Sequence, residues 1–250
     1  MTENTIIITG GSRGIGASIS AAFHAAGHRV VLAGRTDTGL ARQLGERARF
    51  IETDVRQTQS LVGLIKRTID WSGRLDVLVN NAGLSAWRPL ADIDEAFWQK
   101  MLDTNLKSIL FASQAALPHL KRGASIINIS SLAGKRGSAN NSVYCATKFG
   151  VNAITQSLAK ELGPVGIRVN AVCPVYVTTD GLADALNKAN SPTNSQNMNT
   201  YLANFAATQT ALGVLPTAEQ VASTCVFLAS PAAGAITGQC LNVDCGVLPQ

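Results

Sequence analysis

Thr5-Ile6-Ile7-Ile8-Thr9-Gly10-Gly11-Ser12-Arg13-Gly14-Ile15-Gly16 is the stretch on which the fold turns. Its short apolar run ends in a glycine cluster, after which Ile15, Ile19 and Phe23 recur at helical spacing. A buried strand therefore enters a tight turn and leaves as a helix. Gly10 permits the turn, and Gly14 and Gly16 let backbone pass close to a pyrophosphate. The helix N-terminus offers N–H groups and the positive end of its dipole. Gly10, Ser12, Arg13, Ile15 and Gly16 are thus expected to contact a dinucleotide. No lysine stands where a nucleoside triphosphatase loop needs one.

Working outward, Arg29–Ala33, Arg49–Glu52, Leu75–Asn80, Ser125–Ser130, Arg168–Val172 and Gln239–Val243 read as further strands, with helical stretches between them. This alternation predicts an α/β fold: one Rossmann-type domain over residues 1–250, with a doubly wound, parallel, seven-stranded sheet and helices on both faces. Thr217-Ala218-Glu219-Gln220 is a capping box that opens a helix running to about Ala229. Residues 187–210 are crowded with Asn, Ser, Thr and Gln and lack a core pattern, so a substrate loop or lid is expected at about 180–213.

Of the 250 residues, 46% are hydrophobic and 15% charged, which describes a core-rich protein rather than a disordered one. The net charge of +5 is scattered and aromatics are only 5%, so no nucleic-acid partner is expected. No apolar stretch approaches the ~18 residues of a membrane span. Five cysteines, an odd number with no CxxC spacing, suit a reduced thiol set, and a cytoplasmic location is the expectation. Three scattered histidines suggest no metal site.

After the second strand, Gly34 stands where an NAD-preferring enzyme would place a carboxylate for the ribose hydroxyls. Arg35 beside it and Arg13 in the glycine turn can face a 2′-phosphate, which favours NADP(H), with NAD(H) as the alternative. Asp54 and Val55 follow the third strand. Asp54 can accept from an adenine amine or cap a helix starting near Gln57.

Tyr144 and Lys148 lie four positions apart on one helix face, so an ammonium can sit beside a phenol and favour its ionised form. Ser131 precedes them at the end of a strand. With the glycine turn, Asn80-Asn81-Ala82-Gly83, Ser131 and Tyr144 to Lys148 in that order, the chain closely resembles the short-chain dehydrogenase/reductase family, in its form of about 250 residues that includes 3-oxoacyl reductases. The resemblance implies hydride transfer between a nicotinamide and a ketone or secondary alcohol. It makes Tyr144 the general acid/base, Ser131 the carbonyl-orienting hydroxyl, Lys148 the ribose-binding ammonium and Asn105 the anchor of a proton-relay water. Tyr144 and Lys148 also count among the cofactor-binding residues. Asn81, Ala82 and Gly83 match positions near the adenosine ribose, and Pro174, Val177 and Thr179 match the segment that meets the nicotinamide carboxamide and phosphates. A small-molecule partner and a homotetramer are implied as well.

Two departures from the family pattern stand out. Pro174-Val175 replaces Pro-Gly, and Asp244-Cys245-Gly246 replaces Asp-Gly-Gly. An NAD-linked catabolic alcohol or sugar dehydrogenase, and a dinucleotide-binding protein without turnover, stay open beside the NADP-dependent carbonyl reductase.

Overall fold

The computed structural model describes residues 3–249. In chain order the main elements are β1 (Thr5–Thr9), α1 (Gly14–Ala25), β2 (Arg29–Gly34), α2 (Leu40–Leu44), β3 (Ala48–Glu52), α3 (Thr58–Ser72), β4 (Val77–Asn80) and α4 (Glu95–Leu102). A π turn, Asp103–Lys107, leads into α5 (Ser108–Ala116), β5 (Ser125–Ile129), α6 (Ser142–Leu162), β6 (Arg168–Pro174), α7 (Asp180–Leu186), α8 (Met198–Gln209), α9 (Ala218–Ala229) and β7 (Cys240–Val243).

Every strand pair is parallel and the order is β3-β2-β1-β4-β5-β6-β7. The chain builds outward from β1 to β3, then returns to lay β4 against the other side of β1. A crevice opens at such a switch point because the connections on its two sides leave toward opposite faces. Strand alternation then divides the core. Ile6 and Ile8 face one way with Val30, Leu32 and Ile127, under Ile19 and Phe23 of α1 and Val221, Cys225 and Leu228 of α9. Ile7 faces the other way with Val31, Leu78 and Ile126, under residues of α3, α5 and α6. Both faces are covered, which is why β1 reads as an unbroken apolar run.

The expected strands are present, with ends shifted by one or two residues. β6 runs on to Pro174 because Cys173 and Pro174 pair with Asn242 and Val243 of β7. The capping box at Thr217 forms with Gln220 and starts α9 as expected. Residues 187–197 of the polar segment are turns, as its composition suggests, but Met198–Gln209 forms α8. Asn197 caps α8 by accepting from the N–H groups of Asn199 and Thr200, and Leu202 and Ala206 give the helix a narrow buried stripe. Its helical signal was hidden because only these two side chains are fully buried.

On α6, Val151 and Leu162 are buried toward the sheet, whereas Ile154 and Leu158 are half-buried. All five cysteines are free, and Cys145, Cys173 and Cys225 are buried as small apolar residues. Among the described residues no helix is long and apolar enough to cross a membrane.

Cys245 has φ 53°, in the left-handed region, between a half-buried turn on Asp244 and Gly246. A side chain there strains the backbone by about 1 kcal/mol. Cys245→Gly is therefore expected to raise the unfolding free energy by about 1 kcal/mol, measured by urea denaturation. An unchanged or lower value would show that the turn carries no strain.

Candidate active site

One cleft of about 1160 Å³ runs along the carboxyl ends of the strands, from the glycine turn and Arg35 at one end to Arg136 and Phe205 at the other. Its first wall is the β1–α1 turn. Asn81 Nδ2 donates to the carbonyls of Thr9 (2.9 Å) and Gly10 (3.2 Å), and Thr9 Oγ1 accepts from the N–H groups of Asn81 (2.9 Å) and Ala82 (3.0 Å). A side chain at Gly16 would collide with Gly10 O, and Gly10 has φ +66°. The glycines therefore serve backbone proximity as well as turn geometry.

The turn fits a dinucleotide on its own evidence. No side chain caps the N-terminus of α1 and no acidic residue sits in its first turn, so its N–H groups remain available to an anion. Ser12 Oγ is buried without a partner, beside Gly34. Arg13 and Arg35 line the same end of the cleft with no ion pair among the described residues, and no carboxylate projects from position 34.

Of the two roles expected of Asp54, the helix cap does not form. Its carboxylate receives the Arg56 guanidinium through Nε (2.9 and 3.1 Å) and Nη2 (2.5 Å), as well as the Arg56 N–H. This hydrogen-bonded guanidinium holds the carboxyl below its usual range. It does not cap α3, which starts at Thr58 with Gln57 before it. The adenosine end thus meets a neutralised ion pair. Val55 is buried and lines the cleft beside it.

The candidate catalytic groups gather where β4 and β5 end. Lys148 is buried and Tyr144 half-buried on α6, with Lys148 Nζ 5.7 Å from the Tyr144 ring centroid. The ammonium donates to Ile129 O at 2.8 Å and lies beside Gly83. Gly134 lets the Ser131 loop press onto α6, since a Cβ there would stand 2.6 Å from Lys148 O. Asn152 Nδ2 fastens the same loop by donating to Gly134 O at 2.9 Å. Neither Gly134 nor Asn152 is visible as a site residue from the sequence, because each acts on backbone that only the fold brings near.

Burial decides the titration of this pair. It pushes the phenol of Tyr144 up to about 12, while the hydrogen bond with Ser131 pulls the other way. It pulls the ammonium of Lys148 down to about 8. The expectation that Lys148 draws the phenol toward neutrality is not met. Desolvation is the largest cause of both shifts, and neither group figures in the other's.

Asn105 is wholly buried in the π turn, a geometry that recurs at functional sites. Its Oδ1 accepts from Leu84 N (2.8 Å), and its Nδ2 donates to Leu84 O (2.9 Å) and Thr147 Oγ1 (3.4 Å). The side chain therefore clamps the loop after β4 to α6. Thr179 caps α7 by accepting from Leu182 N and also packs against Gly14. Val177 is buried in the core, so its backbone is what it can offer the cleft. Val175 keeps an extended path, its N–H directed to Val243 O at 3.4 Å.

Leu84, Ser85, Trp87, Leu132, Ala133, Ser138, Tyr176 and Phe205 line the other end of the cleft. Tyr176, Tyr201 and Phe205 form one aromatic cluster, with Tyr176 and Phe205 edge to face at 4.9 Å. Arg136 belongs to this end too, and sequence reading passed it over as one of many scattered charges.

Comparison with known proteins agrees with this architecture. Residues 10–248 match the family described as enoyl-(acyl carrier protein) reductase. The chain is 35% identical to the short-chain reductase protein NovJ of Streptomyces niveus, over 98% of this chain and 94% of that one. It is 34% identical to the 3-oxoacyl-[acyl-carrier-protein] reductase of Chlamydia muridarum, over 99% and 98%. The chain belongs to the short-chain dehydrogenase/reductase family. Its fold superposes on a variant of actinorhodin polyketide ketoreductase solved with NADPH, with a TM-score of 0.89, 30% identity and coverage of 98% and 97%. As a member of this ketoreductase-like family the protein is an oxidoreductase acting on ketone or CH–OH groups with a nicotinamide dinucleotide.

The buried ammonium makes stability depend on pH. Because Lys148 has a folded pKa near 8, below its value of 10.5 in the open chain, the unfolded state binds more protons between these values and stability rises with pH across that window. Lys148→Met is expected to remove this rise. Unfolding free energies measured at about pH 7 and about pH 10 should change in favour of wild type relative to the variant by roughly 3 kcal/mol. A constant difference would place the ammonium in a solvated setting.

Proposed function

We propose that this protein is an NADP(H)-dependent reductase of ketones, with Tyr144 as the proton donor. The observation that carries the reading is the distribution of groups along one cleft: unpaired Arg13 and Arg35 at the adenosine end, and Tyr144 with Ser131 at the other. When bound, the nicotinamide supplies the hydride. Arg13 and Arg35 supply planar guanidinium donors suited to a 2′-phosphate, with the unpartnered Ser12 hydroxyl as a third donor. Residues Asn81 to Gly83 bring backbone to the ribose, Pro174, Val177 and Thr179 form the opposite wall, and Lys148 holds the ribose hydroxyls.

Ser131 donates to the carbonyl oxygen of the substrate and orients it. Tyr144 then gives its proton to the developing alkoxide. A phenol raised to about 12 stays protonated at neutral pH, and an alkoxide is a far stronger base than a phenolate, so the transfer runs downhill. Asn105 acts as a positioning residue. Since its side chain is committed to Leu84 and Thr147, a relay water would rest on main-chain carbonyls of the π turn.

The α7–α8 segment serves as the substrate lid of this reading. Exposed Phe149 and Leu110, on α6 and α5, support a homotetramer built through those helices.

Two measurements test the proposal. NADPH is expected to bind at least about tenfold tighter than NADH, a difference of about 1.4 kcal/mol, and Arg35→Ala should erase most of it in fluorescence titrations. Equal binding of the two cofactors would favour an NAD-linked dehydrogenase. Tyr144→Phe should lower kcat for a reducible ketone by at least about a hundredfold while leaving NADPH affinity in the same range. Full turnover in that variant would remove Tyr144 from the chemistry.

A further inference from the structure

Arg136 is the one arginine at the substrate end of the cleft that the proposed chemistry leaves without a task. Other arginines along the cleft are accounted for. Arg56 is forked onto Asp54, and Arg88 is held by Asp94 at 2.9 Å with its guanidinium over the Phe97 ring. Arg13 and Arg35 face the adenosine end. Arg136 has no carboxylate within ion-pair distance among the described residues, although Asp180 and Asp184 line the same cleft.

Its position is fixed by its neighbours rather than by its own side chain. The Arg136 N–H donates to Leu132 O at 3.1 Å, and its carbonyl accepts from Cys145 Sγ at 3.9 Å, one residue after the reacting tyrosine. Lys135 leaves the loop in the other direction, with Nζ donating to Cys240 O at 2.6 Å. The backbone that carries Ser131 toward the reacting centre therefore also sets a guanidinium in the cleft, facing the Tyr176 side. Arg136 and Tyr176 both line this cleft. Ser138, in the same loop, adds a hydroxyl at the cleft surface.

We infer that Arg136 is a specificity residue that recognises an anionic group, a carboxylate or a phosphate monoester, carried by the ketone substrate itself. This deepens the reductase reading and rests on it for the identity of the reacting group. A planar fork of donors matches a carboxylate or phosphate bidentately. Exposure of the side chain keeps the effect moderate. The substrate so described has its carbonyl at Tyr144 and Ser131 and its acidic group toward the loop of residues 135–138.

The test compares matched pairs on wild type and Arg136→Gln: 3-oxobutanoate with its methyl ester, and dihydroxyacetone phosphate with dihydroxyacetone. Reduction is followed with NADPH, and equilibrium binding of each compound to the NADPH complex is followed by calorimetry. Wild type should prefer the anionic member of at least one pair, and Arg136→Gln should lower that preference about tenfold through KM and Kd rather than kcat. The pair that responds distinguishes carboxylate from phosphate. Arg136→Lys should restore only part of the preference, because an ammonium lacks the fork. No anionic preference in wild type, or one that survives in Arg136→Gln, overturns the inference even while ketones are reduced. Arginine-dependent anion binding without turnover of any ketone would uphold it and overturn the reductase reading instead.

Discussion

The hydrogen bonds between Thr9 and Asn81 are the constraint on which the rest of this site depends. They fasten the end of β1 to the end of β4, the two strands that flank the point where the sheet reverses its winding. The connection after β1 passes to one face and the connections after β4 to the other, so this is the place where a crevice must open. Without the clamp the glycine turn would have no fixed relation to the loop at Leu84. Asn105 extends the same restraint by a second clamp, from the π turn to Leu84 and on to Thr147 of α6. Three elements distant in sequence are thus held in register, and Tyr144 inherits its position from them.

Burial is the second constraint, and it acts on chemistry more than on shape. Desolvation disfavours charge on both the phenol and the ammonium of α6, so each is shifted toward its neutral form. A pair arranged mainly for mutual attraction would shift in the opposite sense. The consequence is a tyrosine that keeps its proton at neutral pH. The nearby Ser131 hydroxyl is the group that moderates this, and Gly134 and Asn152 are what bring its loop close.

Much of this was legible in the sequence because the relevant signals are local. The strand, turn and helix around Gly10 to Gly16, the strand runs and the spacing of Tyr144 and Lys148 depend on neighbours a few residues away. What escaped reading depends on contacts between distant segments. The titration of Tyr144 could not be inferred from its spacing to Lys148, since spacing carries the charge partner and not the depth of burial. Asp54 invited a role at the adenine or at a helix cap, yet Arg56 two residues on takes its carboxylate. The α8 helix was masked by polar composition, and its two buried residues are too few to create a periodic pattern. Arg136 looked like surface charge because nothing in the local sequence says that its loop bends into the cleft.

The two ends of the cleft differ in how firmly they are built, and this bears on how the enzyme can accept a substrate. The nucleotide end and the reacting groups rest on strand ends and on α6, with backbone hydrogen bonds behind each position. The far wall is carried by α7 and α8, which bury few apolar residues and lie outside the sheet. Thr179 joins the two regions: it caps α7 through Leu182 N and packs against Gly14 in the nucleotide turn. A ligand that orders the turn therefore bears on the first turn of α7, and through it on the wall that Tyr176 and Phe205 share. The nucleotide turn and α6 thus rest on the sheet, while the wall of Tyr176 and Phe205 rests on few buried apolar contacts.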